Sequence, residues 1–167
     1  MPAADITIRG ERGGDRDGIG EVHRLAFAGG AEARLVDDLR RSGDAVISLV
    51  AECAGAIVGH VCFSGLEAPL RALALAPLAV WPERQGQGIG SALVHAGLEQ
   101  ADRGAWDAVF VLGAPRFYER FGFSAEAAKG FSCPYGGEEF MARFRGVEAA
   151  SRAGRLGYPL AFGALEP

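Results

Sequence analysis

The segment 78-LAVWPERQGQGIGSALVHAGLEQA-101 decides the fold class of this 167-residue chain. An apolar run typical of a strand comes first, and glycines then occupy alternate positions at Gly86, Gly88 and Gly90. From Ile89 to Arg103 the polar residues fall on one stripe of an otherwise apolar cylinder, which predicts a mostly buried helix. The segment therefore predicts a strand, a glycine-rich loop and a helix in direct succession.

The glycine loop, Gln85–Gly90, allows several interpretations from its residues alone. The first N–H groups of a helix are unpaired, and glycines let the backbone approach a pyrophosphate closely. A Walker loop would require a lysine, which the segment lacks, and a dinucleotide fingerprint would require a third glycine where Ser91 stands. The strands before the loop also form a meander instead of opening a βαβ unit. A plain tight turn and an anion site stay open at this point.

The N-terminal half predicts one strand, two helices and a hairpin. Alternating residues over Asp5–Glu11 predict the strand, and the helices that follow end near Phe27 and Gly43. The runs 45–53 and 56–67 predict a hairpin that turns at Ala54-Gly55. In that hairpin Cys53 would pair with Ala56, and Cys62 would pair with Ile47.

The C-terminal half predicts a third antiparallel strand at 70–82, the helix already described, and a buried central strand at 105–113. Pro77 lies inside the third strand, where it marks a bulge, an edge or a departure from regular pairing. A short helix runs from Pro115 to just before Gly122, and 138–146 predicts another strand. This order predicts a mixed α/β or α+β layer around one central sheet.

Composition and charge are those of an ordinary globular chain. Hydrophobic residues make up 49%, charged residues 23%, and the formal net charge is −4. A negative chain is not favoured on nucleic acid or on an anionic membrane, and neither a bilayer-spanning stretch nor a signal peptide is recognised. We therefore predict a cytoplasmic protein without nucleic-acid or membrane partners. It would form a single domain over residues 1–167, with its core at about 5–146 and a C-terminal tail at 147–167.

The three cysteines argue against metal binding. Cys53, Cys62 and Cys133 are odd in number and widely spaced and form no C-x-x-C pair, which argues against a zinc site and a disulfide framework. A thiol nucleophile at Cys133 would require a partner base, and no histidine follows it in the sequence. We expect no metal and no covalent acyl-enzyme.

Two motifs of the chain resemble those of the GNAT superfamily of N-acetyltransferases. Gln85, Gly88 and Gly90 match the coenzyme A motif Q/R-x-x-G-x-G/A, in which Gly86 stands at a free position. One strand downstream, 116-RFYERFGF-123 resembles the motif aromatic-Tyr-x-x-x-Gly-Phe. The chain is most similar to the YhbS-like group, which shares a Cys-Pro-Tyr and a terminal Tyr-x-x-Ala-Phe. The resemblance implies a GNAT-like acyl-CoA N-acyltransferase fold with a central, mostly antiparallel sheet and flanking helices.

The resemblance also implies a cosubstrate and a mechanism. Acetyl-CoA would lie between the strand ending at Val80 and the strand ending near Leu112, and an amine of a small molecule or protein would attack its thioester directly in a ternary complex. The strand main chain would pair with the pantetheine, the loop amides would hold the pyrophosphate, and an N–H near Ala79 or Val80 would stabilise the oxyanion. The implied cofactor-binding residues are Leu78, Ala79, Val80, Gln85, Gly86, Gln87, Gly88, Ile89, Gly90 and Ser91.

Tyr118 matches the family tyrosine that protonates the leaving thiolate. A thiol has a pKa of roughly 8.5 and a phenol of about 10, so the phenol is protonated at neutral pH and can donate. Phe117 and Phe121 would pack on one face of the short helix, with Tyr118 rotated about 100° away toward the gap. We predict Tyr118 to be the general acid; the competing interpretation is a third core aromatic.

The general base is less defined. Glu67 ends the second hairpin strand and is one candidate, His60 is another, and Glu138-Glu139 a third, while water could carry the proton instead. The resemblance places the acceptor against the first two helices, the hairpin end and the C-terminal strands. One departure from the family concerns Gly113-Ala114-Pro115, which stands where many members carry an asparagine that contacts the cofactor.

Two other function classes compete with the enzyme. A catalytically silent acyl-CoA sensor would keep the fold and lose turnover, and a nucleotide-dependent oxidoreductase is disfavoured by Ser91 and by the strand order. A homodimer is compatible with the sequence, which does not require one.

Overall fold

The computed structural model of the protein describes residues 5–135, 137 and 139–165. The strands are β1 (Ile6–Gly10), β2 (Ala45–Cys53), β3 (Ala56–Leu66), β4 (Ala72–Val80), β5 (Ala108–Leu112), β6 (Phe131–Ser132), β7 (Phe140–Phe144) and β8 (Gly154–Arg155). The α-helices are α1 (Arg16–Ala26), α2 (Ala31–Ser42), α3 (Ile89–Arg103), α4 (Pro115–Tyr118), α5 (Ala125–Ala128) and α6 (Val147–Ala150). Short 3-10 turns cover Gly13–Asp15, Pro82–Arg84, Glu119–Phe121 and Leu160–Leu165.

Six strands form the main sheet, in the order β1-β2-β3-β4-β5-β7. Neighbouring strands are antiparallel except β4 and β5, which run parallel on either side of the α3 crossover. The short strands β6 and β8 pair in parallel outside this sheet. The prediction of a mixed, mostly antiparallel sheet with flanking helices is confirmed.

The register of the hairpin differs by one residue from the prediction. Cys53 pairs with Ala56 as expected, but Cys62 pairs with Ser48 instead of Ile47. A register shift between Ala51 and Glu52 places one extra residue on β3, and this bulge displaces the pairs from Ala51 with Gly59 to Ile47 with Phe63 by one position. A further shift between Ala45 and Ile47 restores the original register. The pairing of Cys62 with Ile47 was therefore wrong.

Pro77 marks a bulge on β4. Leu75 pairs with Phe63 and Leu78 with Val61, so Ala76 and Pro77 together lie opposite one residue of β3. The Ala76–Pro77 peptide bond is cis. One of the three alternatives that the sequence left open for Pro77, the bulge, is thus the observed one.

The parallel strands β4 and β5 diverge. They pair only over three residues, from Ala72 with Ala108 to Ala74 with Phe110, and β4 then continues to Val80 without β5 beside it. The divergence begins just before the Pro77 bulge. It opens a gap in the sheet, which we call the cleft.

Helix α3 covers the face of the sheet that includes Phe63. Leu93, Val94 and Leu98 join Phe63 in the largest apolar cluster. At Gly97 an added Cβ would lie 2.3 Å from the Phe63 ring, so the absence of a side chain allows the close approach.

Helices α1 and α2 cover the opposite face. Leu35 and Leu39 of α2 pack with Cys62, Ala74 and Phe162. The C-terminal tail therefore returns to the sheet, and it is also attached through the backbone, where Glu67 and Gly157 exchange hydrogen bonds of 2.8 and 2.7 Å. Within the ranges that the structure describes, no helix combines the length and apolar character needed to cross a membrane.

Candidate active site

The cleft has a volume of about 800 Å³ and is lined by most of the residues predicted to bind the cofactor. Those residues are Leu78, Val80, Gln85, Gly86, Gly88, Ile89, Gly90 and Ser91. Ala79 and Gln87 do not line it. Ala79 is buried because its side chain points to the other face of β4, and Gln87 is exposed in the loop.

The backbone of β4 offers hydrogen-bonding groups to the cleft at alternate residues. The N–H of Trp81 donates to the carbonyl of Val58 on β3 at 2.9 Å. Because donors of an antiparallel strand alternate in direction, the N–H groups of Val80 and Leu78 point away from β3, toward the gap. Gln85 Nε2 donates to the Val80 carbonyl at 3.2 Å, which agrees with this direction.

The glycine loop delivers the chain to α3 in a left-handed conformation. Gly86 has φ +77° and Gly88, the N-cap of α3, has φ +84°. No side chain caps the helix and no acidic residue lies in its first turn, so its first N–H groups are available to an anion at the cleft. Gly86 therefore has a conformational role, although the family motif leaves its position free.

Gly90 has a different role from its two neighbours in the loop. An added Cβ would lie 3.6 Å from Phe117 and 3.7 Å from Val80, which are ordinary contact distances. The position tolerates a side chain sterically, but it lines the cleft, so any atom added there would take space inside it.

Two arginines that the sequence analysis did not single out also line the cleft. Arg120 donates to Ser91 Oγ at 3.3 Å and lies 4.8 Å above the Phe117 ring. Arg84 donates to Cys53 Sγ at 3.3 Å, and its buried Nε has no partner among the described residues. Arg84 lies in the segment 78–101 and Arg120 in the segment 116–123, and this proximity to the two motifs was the available sequence signal. Together they make this end of the cleft positive.

Tyr118 lines the cleft, and its ring is packed among aromatic side chains. Ring centroids lie 4.9 Å from Phe117 and 5.8 Å from Phe123. Burial raises the pKa of Tyr118 to about 12, so the phenol is protonated at neutral pH. Phe117 and Phe121 pack together as predicted, at 5.2 Å, but Tyr118 belongs to the same cluster and is not separate from it. It is both a core residue and a wall of the cleft.

Gly113 makes room for the Tyr118 ring. An added Cβ at Gly113 would lie 2.5 Å from Cε2 of Tyr118. The Gly113 N–H donates to the carbonyl of Glu139 at 3.2 Å. Where many family members carry an asparagine nearby, this chain uses the absence of a side chain to seat the tyrosine.

The acidic base candidates are not brought to the cleft lining. Glu67 is exposed at the end of β3, beside the paired start of β4 and away from its free end. Glu139 lies in the turn before β7, and Glu138 is outside the described residues.

His60 belongs instead to a hydrogen-bonded chain of buried and partly buried polar side chains, which we call the histidine network: Glu11, His23, Ser48 and His60. His60 Nδ1 lies 2.8 Å from His23 Nε2, and its Nε2 lies 2.8 Å from Ser48 Oγ. Ser48 donates to Glu11 at 2.6 Å. Both histidines are 0% exposed, and neither lines the cleft.

Burial sets the charge state of the network. It lowers the pKa of His23 to about 4. Burial, together with nearby His23 and Arg40, lowers the pKa of His60 well below its ordinary value. Burial alone would raise the pKa of Glu11, but hydrogen bonds from Arg40 and Ser48 bring it below its ordinary value. Two neutral imidazoles and one carboxylate are therefore expected at neutral pH.

Comparison with known proteins identifies the family. The family model described as an acetyltransferase (GNAT) domain matches residues 44–125. The chain is 38% identical over 138 residues to the uncharacterized N-acetyltransferase YhbS of Escherichia coli K12, a match that spans 80% of this chain and 83% of that protein. It is 39% identical over 130 residues to the uncharacterized N-acetyltransferase YjhQ of the same strain, spanning 72% and 71%. The chain belongs to the GNAT family of acetyltransferases.

Two solved structures extend the comparison to the GNAT fold. Escherichia coli YhbS in complex with CoA superposes with a TM-score of 0.91 at 34% identity, covering 98% of this chain and 94% of that one. A GNAT acetyltransferase from Brucella melitensis in complex with acetyl-CoA superposes with a TM-score of 0.80 at 31% identity, covering 95% and 98%. The predicted family and fold and the assignment as an acyltransferase are confirmed, and acetyl-CoA as the predicted cosubstrate agrees with these complexes.

Glu32 also lines the cleft, and the sequence analysis did not identify it as a candidate site residue. Glu32 lies in the first turn of α2 and lines the cleft beside Phe27 and Leu165. Its Oε2 is shielded from solvent and has no hydrogen-bond partner among the described residues. Glu32, Leu35 and Leu39 share one helix face at i, i+3 and i+7, so an acid that continues an apolar stripe was the available signal.

A second cavity of about 460 Å³ adjoins the cleft. It is lined mainly by aromatic and aliphatic side chains, from β4, β5 and the C-terminal tail. The two share Leu75, Ala76, Leu112 and Leu165, so they meet where β4 and β5 separate. No cluster of potential metal ligands is found in the parts of the chain that the structure describes.

Proposed function

We propose that this GNAT protein transfers the acetyl group of acetyl-CoA to a primary amine by direct attack in a ternary complex. The observation that carries the proposal is the cleft, which begins between diverging strands and ends at the uncapped N-terminus of α3. An anion at that terminus meets unpaired N–H groups and the positive end of the helix dipole, with Arg84 and Arg120 beside it. A pyrophosphate joined to a long neutral arm fits this arrangement.

The pantetheine arm of acetyl-CoA would lie along β4. The outward N–H groups of Leu78 and Val80 can pair with its amide groups as a neighbouring strand would. The Val80 N–H is the better placed of the two donors considered for the oxyanion, since the N–H of Ala79 points to β3. A rigid backbone donor of this kind stabilises charge that develops on the thioester oxygen.

Tyr118 would act as the general acid. The amine nitrogen attacks the thioester carbon, the C–S bond breaks, and the departing sulfur takes the phenolic proton of Tyr118, which solvent then replaces. Burial keeps the phenol protonated over the whole neutral range, so a proton is present on the cleft wall when negative charge develops on the sulfur. Glu67 and His60 lie outside the cleft lining, so we assign neither as base and let water accept the proton of the amine.

Thermal stability with four ligands tests the binding half of the proposal. Acetyl-CoA and CoA at a hundredfold excess over Kd should stabilise the protein by about 2.7 kcal/mol, while NAD and ATP should not. Absence of any shift with the CoA species would refute the proposal.

Release of free thiol from acetyl-CoA, followed across a panel of amines, tests the catalytic half. Thiol release that depends on an amine supports the enzyme. Stabilisation by acetyl-CoA without thiol release for any amine would instead identify a silent sensor. A cytoplasmic location, a single domain and a homodimer stay predictions.

A further inference from the structure

Glu32 differs in charge from the other residues that line the cleft. Among the described residues that line the cleft, Glu32 is the one acid, while Arg84 and Arg120 are the cations. The arginines follow β4 and α4, and Glu32 belongs to α2, which covers the opposite face of the sheet. The cleft therefore passes through the sheet, from an anion-binding side to a side that carries a negative charge.

One oxygen of the Glu32 carboxylate, Oε2, is shielded from solvent and has no hydrogen-bond partner among the described residues. Buried polar atoms are hydrogen-bonded in the great majority of cases, and a buried acceptor left without a donor is destabilising. Oε2 of Glu32 is such an atom, and its position on the cleft wall allows a ligand to supply the donor. An alkylammonium group supplies both the N–H donor and the compensating charge. It loses one proton to water before it attacks the thioester, and the neutral amine still donates an N–H to Oε2.

The second cavity complements this charge with an apolar volume. Phe110, Tyr158 and Phe162 contribute aromatic walls, and its size of about 460 Å³ falls in the range of small-molecule sites. Burial raises the pKa of Tyr158, whose hydroxyl accepts a hydrogen bond from Cys133 Sγ at 3.5 Å, so this wall is neutral. A charged or strongly polar body would lose its hydration here without compensation.

We infer that the acceptor is a small amine with an apolar, aromatic-sized body, whose nitrogen is bound by Glu32 and whose body occupies the second cavity. This inference rests on the proposed acetyl transfer and names its acceptor class. Because the cavity meets the cleft at Leu75, Ala76 and Leu112, an amine on a short linker can extend from one into the other. Glu32 is then a specificity-determining residue that touches the acceptor and leaves acetyl-CoA untouched.

Steady-state kinetics of thiol release with defined amines test the inference. We expect kcat/KM to be highest for 2-phenylethylamine and n-hexylamine, and at least tenfold lower for ethylamine and spermidine. Leu165→Trp narrows the cavity at a tail residue, and it should reduce kcat/KM for 2-phenylethylamine more than for ethylamine. The lack of thiol release with 2-phenylethylamine and n-hexylamine, or equal values across the panel, would overturn the inference.

The role of Glu32 is tested separately. Glu32→Gln should raise KM for 2-phenylethylamine at least tenfold and leave KM for acetyl-CoA unchanged, and Glu32→Asp should recover part of the loss. Glu21→Gln, which removes the same charge from an exposed position on α1, is the matched control and should change neither constant. An unchanged amine KM in Glu32→Gln would overturn the assignment. Failure of the proposed acetyl transfer is recognised independently, because the wild type would then show no stabilisation by acetyl-CoA.

Discussion

The cleft and the histidine network lie on opposite sides of β4, and both contain titratable side chains whose pKa values are shifted by burial. His60 and Ala79 are neighbours in strand pairing, so only the width of one strand separates the network from the cleft. The network has the composition of a catalytic relay, with a carboxylate, a hydroxyl and two imidazoles in hydrogen-bonded sequence. Among the described residues that line the cleft, Tyr118 is the one phenol and Glu32 is the one acid.

The difference between the two regions is access. Both histidines are 0% exposed and bonded to each other, so no substrate reaches them. Tyr118 is also packed in the core, yet one part of it lines the cleft. A shifted pKa therefore reports burial in both regions, and only the cavity distinguishes a candidate catalyst from a structural network.

The largest expected effect comes from removing the phenolic hydroxyl in the cleft. Tyr118→Phe should lower kcat by about 10²–10⁴-fold, because the departing thiolate loses its proton donor. Affinity for CoA, measured by calorimetry, should stay the same, since the ring and its aromatic contacts are retained. A kcat equal to that of the wild type would place Tyr118 with the structural residues and remove the contrast with the network.

A smaller effect, which arises from the histidine network, is expected on the free energy of unfolding of the protein at acidic pH. The pKa of His23 in the folded protein is lowered to about 4. Below about pH 6.5 the unfolded chain therefore binds more protons than the folded protein. The free energy of unfolding decreases as pH falls from about 6.5 toward 4. The His23 imidazole contributes up to about 1.4 kcal/mol per pH unit within this window, and the lowered pKa of the buried His60 acts in the same direction.

Chemical denaturation at several pH values measures this slope. His23→Gln keeps a hydrogen-bonding side chain but takes up no proton, so its slope should be shallower than that of the wild type. His95→Gln is the matched control variant, because it replaces a histidine at an exposed position on α3, outside the network. Equal slopes for wild type and His23→Gln would contradict the neutral, buried state of the network.

The smallest expected effect separates binding from folding within the cleft. Gly90→Ala should leave the free energy of unfolding unchanged or raise it by about 0.5–1 kcal/mol, because alanine favours a helix over glycine. It should weaken CoA binding by about tenfold, or 1.4 kcal/mol, because the added methyl takes space in the cleft. CoA binding as tight as in the wild type would show that the cosubstrate does not pass Gly90.

The sequence identified most of the cleft lining near the glycine loop and Tyr118, but it did not identify the lining contributed by α2. The glycine loop and Tyr118 belong to two short motifs whose function depends on local backbone shape, which neighbouring residues dictate. Glu32 and the aromatic wall at Phe162 come from α2 and from the C-terminal tail, and they meet only because both pack over β4. No local sequence pattern predicts that these distant residues lie close together. The one available signal was an acid, Glu32, on the otherwise apolar face of α2.

The sequence by itself determined the order of elements, the strand-loop-helix unit around Gly88, and the aromatic helix that carries Tyr118, because periodicity and glycine placement act over a few residues. Only the tertiary structure decided that the bulge on β3 shifts the hairpin register, that His60 is sealed inside a network, and that Glu32 reaches the cleft. These depend on which distant surfaces pack together, and access to a cavity is a property of that packing and not of any single segment.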